Sequence, residues 1–217
     1  VAAVGAGADG THLEVPISPP AQEQADRLLG SLGLVPEAPL VVIHPGGGWP
    51  LNWWPADRFA ALADWVTEAR GAAVLLVGGP DERELVNHVR RMTRYPIASL
   101  CGQTTLGVLG ALLQRAALFV GNDGGPMHLA EAMDIPLVAL FGCSPAALIG
   151  PRSRRVRVVQ GPAPTPHCPQ FEWGVTVRCP DRPCMRGIPL AQVQAAVDAL
   201  LAGRERVGTY QAMGAIA

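Results

Sequence analysis

Val120-Gly121-Asn122-Asp123-Gly124-Gly125-Pro126-Met127-His128-Leu129-Ala130 is the stretch on which the reading of this chain turns. An apolar run over 117–120 has the character of a short buried strand. It ends in an acid and two glycines. Pro126 then opens a helix, at a position where its missing N–H leaves nothing unsatisfied. Glycine lets the backbone approach a ligand closely, and a helix start offers free N–H groups at the positive end of its dipole. Asp123 can accept hydrogen bonds from hydroxyls, and His128 lies one turn in. That combination suits a sugar joined to a diphosphate. The plainer reading is a βα turn with an incidental histidine.

A second segment has the same form. Leu40-Val41-Val42-Ile43-His44-Pro45-Gly46-Gly47-Gly48 is a strand ending in glycines, followed by Trp49-Pro50-Leu51-Asn52-Trp53-Trp54-Pro55 and a helix. Two glycine-rich strand ends in one parallel sheet can face one crevice. From residue 40 the chain alternates between the two element types. Strands are expected at 40–43, 73–77, 97–100, 118–120, 137–141 and 156–159, and helices at 55–70, 82–93, 106–115, 126–133 and 190–201. Short, apolar, often β-branched strands fit a sheet buried on both faces. The alternation implies right-handed crossovers and a doubly wound parallel sheet, an α/β fold of Rossmann-like type. Residues 1–39 are rich in Gly, Ala and Pro, with a helical pattern only over 21–32, and read as a lead-in or linker from a preceding domain. Residues 40–202 form the domain, with an irregular Pro- and Cys-rich segment at 160–187, and 203–217 form a tail.

With 217 residues the chain can bury roughly 70% of its unfolded surface. A net charge of −1 gives no electrostatic case for nucleic acid or an anionic membrane surface. All 17 basic residues are arginine, which excludes a phosphate-binding or Schiff-base lysine. No apolar run reaches the roughly 18 residues of a membrane span, and no signal-peptide pattern is visible. The chain begins at Val1 rather than Met, so a fragment of a longer protein is expected. Cys101 and Cys143, at strand ends, read as small buried apolar residues. Cys168, Cys179 and Cys184 cluster without a Cys-x-x-Cys pair, so the usual zinc spacing is absent. His167 beside Cys168 leaves a His/Cys site arithmetically open, against structural thiols or a disulfide; no metal or cofactor is expected. The Gly46–Gly48 run is followed by Trp-Pro, and Asp81 and Glu82 lie more than thirty residues on, which does not fit dinucleotide binding. The lysine of a P-loop and the Gly-x-Ser-x-Gly of an α/β-hydrolase are missing.

Together with Leu137-Val138-Ala139-Leu140-Phe141-Gly142, these segments resemble the C-terminal half of the family 9 glycosyltransferases, the lipopolysaccharide heptosyltransferases. The family's ordered pattern is a strand, a Gly- or Thr-containing loop, Lys-x-Trp-Pro, Asp-Ser/Thr-Gly-x-x-His, and a strand ending in Phe-Gly. The resemblance runs from about residue 38 to residue 200. It implies one half of a two-domain GT-B enzyme. In such enzymes the C-terminal half holds a nucleotide-sugar donor such as ADP-heptose. The other half supplies the acceptor site, for a glycan or lipid-linked acceptor, and the catalytic carboxylate. Transfer inverts the anomeric centre without a metal. The implied location is cytoplasmic, peripheral at most to the inner membrane. No catalytic base is assigned in this chain, since Asp9 sits in a flexible Gly-Ala-Asp-Gly turn, and the chain alone is expected to be inactive. A non-catalytic nucleotide-sugar-binding module and another GT-B enzyme, such as a nucleotide-sugar epimerase, remain open.

The resemblance assigns roles residue by residue. Asp123 would hold heptose hydroxyls, and the backbone at Gly124, Gly125 and Met127 would hold the diphosphate. His128 would donate to a phosphate oxygen and stabilise the leaving nucleotide, against a helix histidine packed under the loop. Glu82 would bind the ribose diol, against a helix-start acid favoured by the dipole. Thr104 and Thr105 face the base in relatives, against simple capping. Asn52 stands where the family has Lys, Gly124 where it has Ser or Thr, and Gly47 and Gly48 where some relatives carry Thr. Arg152 or Arg154 could supply the missing charge. Trp49, Trp53 and Trp54 form a sugar-stacking wall or pack the first crossover helix.

Overall fold

A computed structural model describes residues 13–34, 38–162, 179 and 181–202. Six strands, β1 Leu40–His44, β2 Ala73–Leu76, β3 Ala98–Ser99, β4 Leu118–Asn122, β5 Leu137–Phe141 and β6 Val156–Gln160, form one sheet of order β3-β2-β1-β4-β5-β6. Every neighbouring pair is parallel, and Val42 lies opposite Leu75 on one side and Phe119 on the other. The longer helices are α1 Pro19–Ser31, α2 Ala56–Arg70, α3 Arg83–Met92, α4 Leu106–Gln114, α5 Gly125–Ala132 and α8 Leu190–Leu201, and two single turns are α6 Ala146–Ile149 and α7 Pro183–Arg186.

The strands are apolar throughout because helices cover both faces of the sheet. Alternate side chains point to opposite faces. Val41, Ile43, Leu76, Val120, Val138 and Leu140 pack with buried residues of α2, α3 and α8. Val42, Leu75, Phe119, Ala139 and Phe141 pack with α1, α4 and α5. Local chemistry sets the helix ends. Gly71, at φ 58°, closes α2 and returns its N–H to Thr67 O at 3.1 Å. Thr105 caps α4, its hydroxyl accepting from Val108 N at 3.2 Å. α1, which falls in the stretch read as a lead-in, packs on α4 with Ala21 and Ala25 buried, and Arg115 Nη2 donates to Asp26 Oδ2 at 2.7 Å.

The expected elements are present with small shifts in their ends. α5 begins at Gly125 rather than Pro126, because the helical turn needs only a preceding extended residue, supplied by Gly124 at φ 166°, ψ 175°. β3 pairs only through Ala98 and Ser99, against β2 at the sheet edge. The sequence pattern gave no sign of α6, α7 or the 3-10 turns Pro50–Asn52 and Pro80–Glu82, since one turn is too short to show a period. α7 lies within the segment expected to be irregular.

Trp54 locks the entry to α2. Its ring is 1% exposed and meets Phe59 edge-on at 5.0 Å and 86°, and Nε1 donates to Ile188 O at 3.1 Å. Trp54→Ala should therefore lower unfolding free energy in urea by about 3–5 kcal/mol. Trp54→Phe should cost much less, about 1 kcal/mol, because Arg58 Nη1 also donates to the Ile188 carbonyl and keeps it satisfied.

Candidate functional site

β1 and β4 are neighbours, but the chain leaves β1 toward β2 and leaves β4 toward β5. A crevice therefore opens at their C-terminal ends, where ligands bind in open parallel sheets. Both glycine loops emerge there and touch. A β-carbon on Gly47 would lie 3.0 Å from Asp123 O, and Gly47 has φ 151°, so this position demands glycine. A β-carbon on Gly124 would lie 3.5 Å from Gly47 Cα, ordinary contact, and Gly48 and Gly125 face open space. The hydroxyl absent at Gly124 is thus not excluded by packing.

Three side chains brace this junction. Asn122 is fully buried. Its Nδ2 donates to Pro45 O and Gly46 O, both at 2.8 Å, and its Oδ1 accepts from Trp54 N at 3.1 Å. Trp53 Nε1 donates to Gly47 O at 3.0 Å. Glu82 reaches in from the end of the turn after β2. One oxygen accepts from Gly47 N at 2.8 Å and the other from Gly79 N at 2.6 Å, while His44 Nε2 lies 3.2 and 2.9 Å from the two. Burial works to raise the Glu82 pKa. The His44 hydrogen bond and charge and the two amides outweigh it, and the carboxyl sits below its ordinary value.

Asp123 and His128 occupy the other side. Asp123 is half-buried, and among the described residues no donor reaches its carboxylate. Burial raises its pKa, and the charge of His128 opposes this. An unpaired, partly desolvated carboxylate in a cleft marks a ligand site more often than a structural one. His128 is 43% exposed, with Nδ1 3.6 Å from Glu131 Oε2, so it is not packed under the loop. Gly125 opens α5, and its N–H is among the first-turn donors without an intrahelical partner. Met127 departs from expectation. Its side chain is fully buried in the core, and its N–H donates to Gly124 O at 3.1 Å, the first bond of the α5 turn. It has nothing left to offer a ligand.

The remaining candidates divide. Asn52 Nδ2 donates to Ser144 Oγ at 3.1 Å, tying the loop after β1 to the loop after β5. Thr105 does the capping, which leaves the Thr104 hydroxyl without a hydrogen bond among the described residues. Trp54 packs and Trp53 braces, while Trp49 is 54% exposed. Arg152 meets α5 through its backbone: Glu131 accepts from Arg152 N and from Ser153 N at 3.0 Å, and Glu131, about 9 Å down α5 from Gly125, also lies 3.6 Å from His128 Nδ1. Arg154 and Arg155 continue toward the start of β6, at the opposite edge of the sheet from the glycine loops. Two hollows, of about 320 Å³ beside Arg83 and Cys101 and about 260 Å³ near Leu34, do not include those loops.

The described cysteines are thiols, as expected for structural ones. Cys101 is buried and donates to Gly79 O at 3.2 Å. Cys143 is half-buried and forms a thiol pair with Cys184. The hydrogen bond from Cys143 lowers the Cys184 pKa to about 6 against the effect of burial. His167 and Cys168 lie outside the described residues; among those described, no group of three His, Cys, Asp or Glu residues could hold a metal.

A parallel sheet of this order, with two glycine loops meeting at its switch point, defines a Rossmann-like ligand-binding domain. The family model for glycosyltransferase family 9 (heptosyltransferase) matches residues 2–175, and the chain belongs to that family. Lipopolysaccharide heptosyltransferase 3 of Escherichia coli is 38% identical over 107 residues, 48% of this chain and 31% of that protein. The crystal structure of the glycosyl transferase family 9 from Veillonella parvula DSM 2008 is 27% identical with a TM-score of 0.78, covering 91% of this chain and 55% of the other. Escherichia coli ADP-heptose lps heptosyltransferase II shares the fold at a TM-score of 0.70 and 24% identity, over 87% and 53% of the two chains. The chain thus spans about half the length of these solved structures and about a third of the curated relative.

The sequence did not flag Asn122 or His44 as site residues, although each was in view within a quoted segment, and it offered Trp53 as a stacking wall rather than as the brace on Gly47. The Glu82 network has a consequence for acid stability. Its folded pKa lies below the ordinary 4.5, so its contribution is present above that value and is lost as pH falls through the folded pKa. Thermal melts from about pH 5 down to about pH 3 should show wild type losing more stability than Glu82→Gln, whose amide does not titrate.

Proposed function

We propose that this chain forms the donor-binding part of a glycosyltransferase. The enzyme would move heptose or a related sugar from a nucleotide-diphosphate donor to a lipopolysaccharide core or another glycan. The observation that carries this reading is Asp123. Its half-buried carboxylate has no protein donor among the described residues, and it stands where two glycine loops meet at the switch point. A carboxylate is a poor partner for phosphate and a good one for sugar hydroxyls. The names of the relatives, heptosyltransferases and an ADP-heptose enzyme, support the same donor class.

In this reading the sugar lies against Asp123. The diphosphate lies across the amides of Gly48, Gly124 and Gly125, with His128 donating to an oxygen and stabilising the departing nucleotide. Glu82 takes a ribose hydroxyl, and the Thr104 turn meets the base. Residues 40–202 form the donor half of a GT-B enzyme, with the acceptor site and catalytic carboxylate in a second domain. The enzyme would act at the cytoplasmic side of the inner membrane. Among the described residues, no helix is long and apolar enough to cross a membrane.

One observation favours a second reading, a non-catalytic nucleotide-sugar-binding module. The position of the family's phosphate-binding Lys is Asn52, and its amide is already engaged by Ser144. Two substitutions separate the readings and test the site. Asp123→Ala should weaken binding of a nucleotide sugar such as ADP-heptose about tenfold to a hundredfold, and leave ADP nearly unchanged, by calorimetry. Equal losses for both ligands would make Asp123 structural. Asn52→Lys should strengthen ADP binding by about 1 kcal/mol, less as salt rises, because a partly exposed charge pair is screened. A gain in transfer activity by the full-length enzyme would favour catalysis over the binding module.

A further inference from the structure

His44 ends β1 beneath the crevice and is 2% exposed. Its Nε2 faces a carboxylate, which can only accept, so Nε2 carries the proton. Its Nδ1 is buried and has no hydrogen-bond partner among the described residues. A buried ring nitrogen left unpaired is a cost to the fold, and an apolar residue would avoid it. What the imidazole achieves is visible on its other side. The Glu82 carboxylate fills space that only glycines leave. A β-carbon on Gly46 would fall 1.8 Å from Oε1, and one on Gly78 would fall 2.8 Å from Oε2. Seated there, the carboxylate draws in the N–H of Gly47 and of Gly79, one from each strand-end loop.

Counting acceptor capacity sharpens this. A carboxylate has about four lone-pair sites. Gly47, Gly79 and the shared His44 contact occupy about three of them, and the side chain keeps 16% exposure. Capacity for one further donor remains, toward the crevice. The same seating turns the Gly47 N–H inward, while a β-carbon on the neighbouring Gly48 would meet open space.

We propose that His44 is a positioning residue of the donor site: through Glu82 it sets the Gly46–Gly48 turn for the diphosphate and aims the remaining acceptor site of the carboxylate at a ribose hydroxyl. This rests on the donor-binding reading above. It makes the phosphate and ribose contacts depend on one buried N–H donor rather than on separate residues.

The test is calorimetry on the full chain with two probes, ADP and inorganic pyrophosphate, the second having no ribose. His44→Ala should weaken both about tenfold, because the turn that faces phosphate loses its anchor. In His44→Gln the amide nitrogen falls where Nε2 was, and this variant should recover most of the affinity. In His44→Asn the nitrogen falls near Nδ1, and it should not recover. Combined with Glu82→Ala, His44→Ala should add no further loss, since the effect passes through the carboxylate. If His44→Ala does not fold, the Gln and Asn variants carry the comparison, with melting curves as the check on folding. Wild-type affinity in folded His44→Asn, or equal behaviour of Asn and Gln, would overturn the proposal. Loss of ADP binding with pyrophosphate unchanged would also overturn it, leaving Glu82 as a ribose contact only. A folded wild type with no affinity for ADP or any other nucleoside diphosphate would instead overturn the donor-site reading, and this proposal with it.

Discussion

The site depends on a buried amide. Asn122 closes β4 where no water reaches, so each of its polar atoms must find a protein partner. It finds three: the carbonyls of Pro45 and Gly46 on the loop after β1, and the N–H of Trp54 at the entry to α2. With those bonds made, the two strand-end loops cannot separate. Gly47 and Gly124 come into backbone contact, and Asp123 is held at the mouth between them. Trp54 is drawn into the core by the same bond, and it reaches on to Ile188. A single satisfied side chain thereby links the crevice, the first crossover helix and the approach to α8.

Around that junction the fold supplies one carboxylate held by donors on most of its acceptor sites and one that no donor reaches among the described residues. Glu82 is surrounded by donors, and its charge is stabilised by His44 and two amides against the penalty of burial. Asp123 has the same chemistry and the opposite circumstance: burial dominates, and among the described residues no donor compensates. The first arrangement rigidifies a loop. The second leaves an acceptor waiting for hydroxyls. Their difference sets the two sides of the crevice apart, with Glu82 against the Gly47 and Gly79 amides on one and Asp123 with His128 on the other.

A further strap crosses from the C-terminal part. Arg182 Nη1 donates to Pro50 O at 2.8 Å, Arg58 Nη1 donates to Arg186 O at 2.7 Å, and Cys184 lies against Cys143. α7 therefore sits between the loops after β1 and β5, which Asn52 and Ser144 also join. The Pro- and Cys-rich composition of this region gave no hint of that role, because its bonds run mostly to backbone carbonyls, which sequence does not distinguish.

What the sequence by itself determined is everything that a residue reports about its own backbone and its own burial. Apolar β-branched runs located the strands, Thr105 marked a helix start, and the glycines at 46–48 and 124–125 marked the loops that face the crevice. The ordered motifs were enough to suggest the family to which the chain belongs. What only the tertiary structure decided is who meets whom. His44 and Glu82 are 38 residues apart, and Asn122 and Pro45 are 77 apart. Nothing in the type of either residue names its partner. The same limit explains Met127, whose place in a motif suggested a ligand contact while its helical phase turned it into the core. It explains Arg152 as well, whose backbone N–H binds the carboxylate of Glu131 near the end of α5. A sequence lists donors and acceptors; the choice among them is made by the parallel register that brings the ends of β1, β2 and β4 to one edge.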